Sequence, residues 1–388
     1  MDATVYTKKT NGPATHAIVI GVGHYPHLPG GKSKVKFKGE PGLEQLKSPP
    51  ESARANASWL IEQYRHPTKP LGSVALLLSD ASSQKFSFTA GGKKKTVTVP
   101  LAVMPEVKKA VRKWRERGDT NPDHLLLFFF CGHGIAALPD LGLLLADFGE
   151  EPTAALEGSI HFRLLRQNMD TCAAREQCYF IDACRVASDF LIKNNGHAGQ
   201  TIIDKVMDFN TTGRVRQVHT MYSTLADSPA YAKSGKPSLF TEALLEGLSG
   251  AGCEESTPGQ WQVESVMLHR ALGKLMMDAS ERTALPERQL SAADDNSSIM
   301  LNAVAAPLIP VKVGCSRPEA NGVATFICES GTMKSKRAPD GKNRTWKLKL
   351  PLGEYSFDAK FSRRYQAEPL KSHPIRPAFP YIELKVKP

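Results

Sequence analysis

Over its first three hundred positions the chain alternates unbroken apolar runs with amphipathic segments. Residues 16–22 ("HAIVIGV"), 73–80 ("SVALLLSD"), 124–132 ("HLLLFFFCG") and 177–184 ("QCYFIDAC") are near-continuous apolar runs of strand length. Strands apolar on both faces belong in the middle of a sheet covered by helices. Between them, 51–64 follows a Pro-Pro punctuation and sets Ala53, Ala57, Leu60, Ile61 and Tyr64 on one helical face. Residues 104–117 form a second helix with Val107, Ala110, Val111 and Trp114 inward, and 86–99 alternates about Gly91-Gly92 as an inserted hairpin. Further on, 193–217 is polar and glycine-bearing, a loop or weak helix. Residues 218–225 read as a strand, and 238–248 and 263–277 as helices. The fold class is therefore α/β, a largely parallel sheet flanked by helices. A Pro-bounded break at 303–310 starts a different texture of short, alternating, turn-separated segments. The expected organisation is an α/β domain over 1–302 and a small, basic, sandwich-like all-β domain over 303–388.

Composition changes this picture little. Of 388 residues, 41% are hydrophobic and 23% charged, as in ordinary globular proteins. No apolar run approaches the roughly 20 residues that span a bilayer, and the first residues lack the apolar core of a secretory signal. The expectation is a cytoplasmic protein with no membrane partner. The 7 cysteines are odd in number and scattered, which does not suggest a disulfide framework. Charge matters more. The net charge is +11, and from Leu301 to Pro388 there are 16 Lys and Arg against 7 Asp and Glu. Such a block suits nucleic acid, an anionic small molecule or an acidic partner, or is a solvated face.

In a parallel α/β sheet, functional groups collect at the carboxyl ends of the strands. Two strands here end on reactive side chains, His133 between two glycines and Cys184. A cysteine attacks as thiolate, and a neighbouring imidazole can take its proton. The backbone N–H groups of Gly134 and Cys184 would hold the developing oxyanion. Singly, a His-Gly is a turn and a cysteine after an apolar run is core; two such strand ends together point to a nucleophile and its base. A metal site from Cys131, His133, Cys172, Cys178 and Cys184 lacks any C-x-x-C pair.

The segments "FFFCGHGI", "YFIDACR" and "HAIVIGVGHY" resemble the caspase-like cysteine peptidases, which include caspases, metacaspases, separases and legumains. The histidine lies 51 positions before the cysteine, near the spacing of caspases, and the likeness runs from about 14 to 300. The segments "LKSPPESARANASWL" and "YSTLADSPAYAKSGKPSLFTEALLEGL" look like bacterial members. The resemblance implies His133 as general base and acid, Cys184 as nucleophile, Gly134 as an oxyanion contributor, and no cofactor for catalysis. Asp182, two residues before Cys184, and Asp227 match acids that in metacaspases bind Arg or Lys before the scissile bond; caspases, which cut after Asp, carry Gln at the first place. Two departures bear on specificity. Ser52 stands where metacaspases have a further acid, and Arg185-Val186 replace a small or polar pair.

Arg214 and Arg216 are candidate self-cleavage sites for an Arg-directed protease. Bacterial proteins of this layout act in antiphage defence, which implies protein substrates and an inactive resting state. It also implies an anionic activator, a cyclic nucleotide or ADP-ribose-type messenger. The charge of the basic β domain, with its clusters at 334–344 and 361–366, makes that domain or its seam with the protease domain the candidate receiver. The alternative is a stabilising appendage with a solvated basic face. The competing readings are a non-catalytic caspase-like scaffold and a nucleic-acid-binding protein. Nucleic acid is disfavoured, because the aromatics of 326–365 alternate at strand spacing rather than forming a stacking platform.

Overall fold

The computed structural model describes residues 1–388 apart from 41, 138, 186, 194–196, 205–214, 226–234, 284–288 and 295–296, and apart from the side chains of 281–283. Its centre is a seven-stranded mixed sheet. In chain order the strands are β1 (Thr4–Thr7), β2 (Thr15–Val22), β3 (Leu71–Ser79), β4 (Leu125–Cys131), β5 (Glu176–Asp182), β6 (Gln217–Tyr222) and β7 (Ala292–Asp294). Their spatial order is β1-β3-β2-β4-β5-β6-β7. The five inner strands are parallel, as their apolar runs require, and β1 and β7 close the edges antiparallel. These short edge strands carry no long apolar run, so the hydrophobic pattern did not announce them.

Because successive side chains point to opposite faces, the inner strands feed two separate cores. On one face Val19, Leu76, Phe129 and Phe180 pack with helix α1 (Ser48–Glu62), α3 (Leu239–Glu246) and α4 (Ser265–Thr283). On the other, Ile20, Leu77, Phe128 and Tyr179 pack with Trp114 of helix α2 (Met104–Asp119). Both α1 and α2 open with proline and an acid in the first turn, Glu51 and Glu106, where the missing N–H is harmless and negative charge meets the helix dipole. A three-stranded sheet of Gly134–Ala137, Asp140–Leu144 and Ser159–His161 follows β4.

The C-terminal region is all-β, with a three-stranded sheet around Leu308–Cys315 and a four-stranded one around Thr325–Ser330. Ile309, Val311 and Val313 of the first share a core with Phe326, Phe357 and Ala359 of the second. That core is continuous with the α1/α3/α4 face of the main sheet. Strand Met300–Val304 straddles position 302/303 and pairs with Gln260–Glu264. Asn302 also bonds to Arg65 N–H (2.7 Å) and the Leu248 carbonyl (2.9 Å). The all-β texture thus begins in space at Leu308. Among the described residues no helix is long and apolar enough to cross a membrane.

Candidate active site

The sheet reverses its winding at β2, with β3 on one side and β4 on the other; ligands gather outside the carboxyl ends of strands at such a point. Strands β4 and β5 are adjacent, Cys131 lies opposite Asp182, and Gly132 N–H donates to the Asp182 carbonyl at 3.2 Å. His133 and Cys184 therefore each stand two residues beyond a paired position on neighbouring strands. The strand after His133 runs against the segment after Cys184: Ala136 bridges Ala187, and Ser188 N–H donates to the Ala136 carbonyl at 2.8 Å. A Cβ placed at Gly134 would lie 2.4 Å from the Cys184 carbonyl oxygen and 3.0 Å from the Ala183 Cβ. Glycine is needed there for close approach of two backbones, a reason the sequence did not disclose.

His133 is buried. Its Nε2 bonds the main-chain carbonyl of Glu44 at 2.7 Å. A carbonyl only accepts, so Nε2 carries the proton and Nδ1 is left with the lone pair. Burial lowers the His133 pKa below the ordinary histidine value, with the Glu44 carbonyl pulling the other way. Tyr25, just past β2 and fully buried, accepts the His133 backbone N–H at 2.9 Å and donates to the Leu144 carbonyl at 3.3 Å. Its ring lies 5.0 Å from the imidazole. The Gln45 side chain clasps both main-chain groups of Tyr25, each at 2.9 Å. Sequence reasoning missed Tyr25, Glu44 and Gln45. Tyr25 stood in the quoted first-strand motif; the Glu44 contact runs through a carbonyl, which no residue type signals.

Six of the cysteines are buried and Cys184 is partly exposed; no disulfide joins any of them. Burial raises the thiol pKa of the other six, to about 12 at Cys172 and about 11 at Cys315, which leaves them inert as nucleophiles. Arg185 stacks its guanidinium 4.1 Å over the Tyr222 ring at the end of β6. The unusual residue after the cysteine thereby fastens its loop to the sheet.

Asp182 is buried beneath the first turn of α3. It accepts hydrogen bonds from the Ser238 hydroxyl and from the Thr241 hydroxyl, the latter at 2.9 Å. Burial pushes its pKa up, while the Ser238, Thr241 and Cys131 contacts oppose that. Ser238 caps α3 by accepting Thr241 N–H at 3.0 Å, and its own N–H donates to the Ser52 hydroxyl at 2.9 Å. Ser52 and Asp182 thus share one polar cluster. Asp227 and Arg214 lie outside the described residues. Arg216 is half-buried and donates to the carbonyls of Ala174 (3.2 Å) and Cys172 (2.6 Å). Among the described residues no group of His, Cys, Asp and Glu is arranged to hold a metal ion.

Residues 75–289 match the family model described as Caspase domain. Uncharacterized protein y4kE of Sinorhizobium fredii is 30% identical over 216 residues, 55% of this chain and 60% of that protein. The match therefore spans less than two thirds of that relative's length. The crystal structure of caspase-1 from Spodoptera frugiperda aligns with a TM-score of 0.42 and 12% identity, over 77% of this chain and 98% of that one. The family match takes in β4 with its histidine and β5 with its cysteine, and covers more than half of the chain. On that match the chain belongs to the caspase domain family.

Proposed function

We propose that the protein is a cysteine endopeptidase working through a His133–Cys184 dyad. The observation that carries this reading is the convergence of the two residues at neighbouring strand ends, with His133 Nε2–H committed to the Glu44 carbonyl. Nδ1 then accepts the Cys184 proton as sulfur attacks the peptide carbonyl, and the backbone N–H groups of Gly134 and Cys184 receive the oxyanion. His133 returns the proton to the leaving amine, and water, deprotonated by the same nitrogen, hydrolyses the thioester.

The proposed preference is for Arg or Lys before the scissile bond. A buried carboxylate close to the nucleophile is costly until a cation pairs with it, and Asp182, with Ser52, Ser238 and Thr241 around it, supports that pairing. Asp227 is proposed as a second acid. Arg214 and Arg216 are proposed self-cleavage sites, with Arg216 first leaving its two carbonyl partners; intact mass after incubation of active enzyme tests this, and an unbroken chain argues against it.

Activity is proposed to await a signal from an anionic nucleotide messenger of the cyclic-nucleotide or ADP-ribose type, in a cytoplasmic defence setting. The support is the charge of the C-terminal region and its seating. Asp278 of α4 is buried and pairs with Lys312 (3.2 Å) and Lys347, and Glu246 at the end of α3 pairs with Lys349 (3.0 Å). Helix α3 thus runs from this seam to the hydroxyls that hold Asp182. Turnover of Arg and Asp reporter peptides, each with and without such nucleotides, tests the reading. Faster cleavage of the Asp reporter would reject the pocket, and turnover indifferent to every nucleotide would reject the activation.

A further inference from the structure

The segment between β2 and α1 does more than orient the histidine. Glu40 and Glu44 are four positions apart in it. While the Glu44 carbonyl takes His133 Nε2–H at 2.7 Å, the Glu40 carboxylate accepts the Ser188 hydroxyl at 2.5 Å and the Phe190 N–H at 3.3 Å, both on the segment that follows Cys184. Ser188 is buried and is a junction. Its N–H holds the Ala136 carbonyl just past the histidine (2.8 Å), its hydroxyl meets Glu40, and the same oxygen accepts Leu191 N–H at 3.2 Å. Phe37, in the same segment, packs edge-on against Phe148 and Phe190, each at 5.0 Å between ring centres. One short stretch of chain therefore grips the base through a carbonyl and the nucleophile's loop through a carboxylate.

We propose that Glu40 is a positioning residue that sets the His133–Cys184 separation through Ser188. It touches neither reacting atom, and the inference rests on the dyad reading given above. The segments after β4 and β5 are tied to each other through the backbone at Gly132–Asp182, Ala136–Ala187 and Ala136–Ser188. The 24–47 segment that orients the His133 ring is instead set against the Cys184 loop through side chains. Such a contact leaves freedom on the order of an ångström, and a misplacement of that size can cost about 100-fold in rate. A carboxylate that accepts from a hydroxyl and a backbone N–H at once removes that freedom.

The test uses the full chain with Glu40→Ala, Glu40→Gln, Ser188→Ala and the Glu40→Ala/Ser188→Ala pair. Two assays are run: kcat and KM on an Arg reporter, and the pH profile of Cys184 alkylation by iodoacetamide, followed on its peptide by mass spectrometry. Glu40→Ala is expected to lower kcat by about 10- to 100-fold with KM nearly unchanged and to slow Cys184 alkylation at neutral pH. Glu40→Gln keeps an acceptor oxygen and should recover most of both. The double variant should lose clearly less than the product of the two single losses, because the two groups share the Ser188–Glu40 bond. Wild-type kcat and alkylation in Glu40→Ala, or losses that multiply in the double variant, would overturn the proposal. If Glu40→Ala does not fold, Ser188→Ala and Glu40→Gln decide: a lowered kcat in the first with recovery in the second supports it, and equal values overturn it. A wild-type protein that cleaves no peptide, yet whose Cys184 alkylation falls on Glu40→Ala, would sink the peptidase reading and keep the positioning role.

Discussion

Glu44 and His133 are joined by a bond between main chain and ring, the Glu44 carbonyl accepting Nε2–H at 2.7 Å. This tautomer suits the imidazole to the proposed role of base, and burial lowers its pKa. A histidine with a lowered folded pKa contributes stability that is present above about 6.5 and is lost as pH falls through the depressed value. The acidic limb of kcat/KM is accordingly expected below pH ~6.5. A profile of reporter turnover between mildly acidic and alkaline pH checks this, and a limb above the ordinary histidine value would contradict it.

Asp182 should trade stability for specificity. Its raised pKa means that its stabilising contribution is complete below the ordinary carboxylate value and is lost as pH rises through the folded one. Asp182→Asn has no such loss and still accepts from Ser238 and Thr241. Its melting temperature should match or exceed that of the wild type at neutral pH, with the difference growing as pH rises. Arg-reporter kcat/KM should meanwhile fall by about 100-fold, or ~2.7 kcal/mol. Unchanged Arg-reporter turnover would remove Asp182 from substrate binding.

The seam between α4 and the C-terminal sheets offers a stability test. Asp278→Ala takes the carboxylate from Lys312 and Lys347 at a buried position. Since both lysines keep some access to water, the expected cost lies between that of a surface and a buried pair, about 1–3 kcal/mol by thermal or denaturant unfolding. A change within a few tenths of a kcal/mol would mean that packing of Ile309 and Val311, rather than charge, holds the seam.

What was legible in the sequence followed from burial. Runs such as Leu125–Cys131 and Glu176–Asp182 are largely apolar because helices cover both faces, so four of the five inner strands could be read within a residue or two. The fifth, Gln217–Tyr222, ends three residues before the expected 225. The two chemical strand ends were legible for the same reason, since a polar tip on a buried strand is conspicuous. The edge strands at Thr4–Thr7 and Ala292–Asp294 were not, because an edge needs no apolar run. Nor were the groups that hold the proposed dyad in place. Glu44 acts through its carbonyl, and Tyr25 reaches His133 across 108 positions of chain; both depend on a tertiary approach that local pattern does not carry.

Whether Cys184 is the nucleophile and His133 its base is decided by peptide cleavage with Cys184→Ala beside wild type under conditions where wild type cleaves. Cys184→Ala should lose at least about 10⁴-fold in kcat/KM, His133→Ala a comparable amount because the two act as a unit, and Cys131→Ser should turn over near the wild-type rate. Cleavage by Cys184→Ala at the wild-type rate would contradict that assignment of roles.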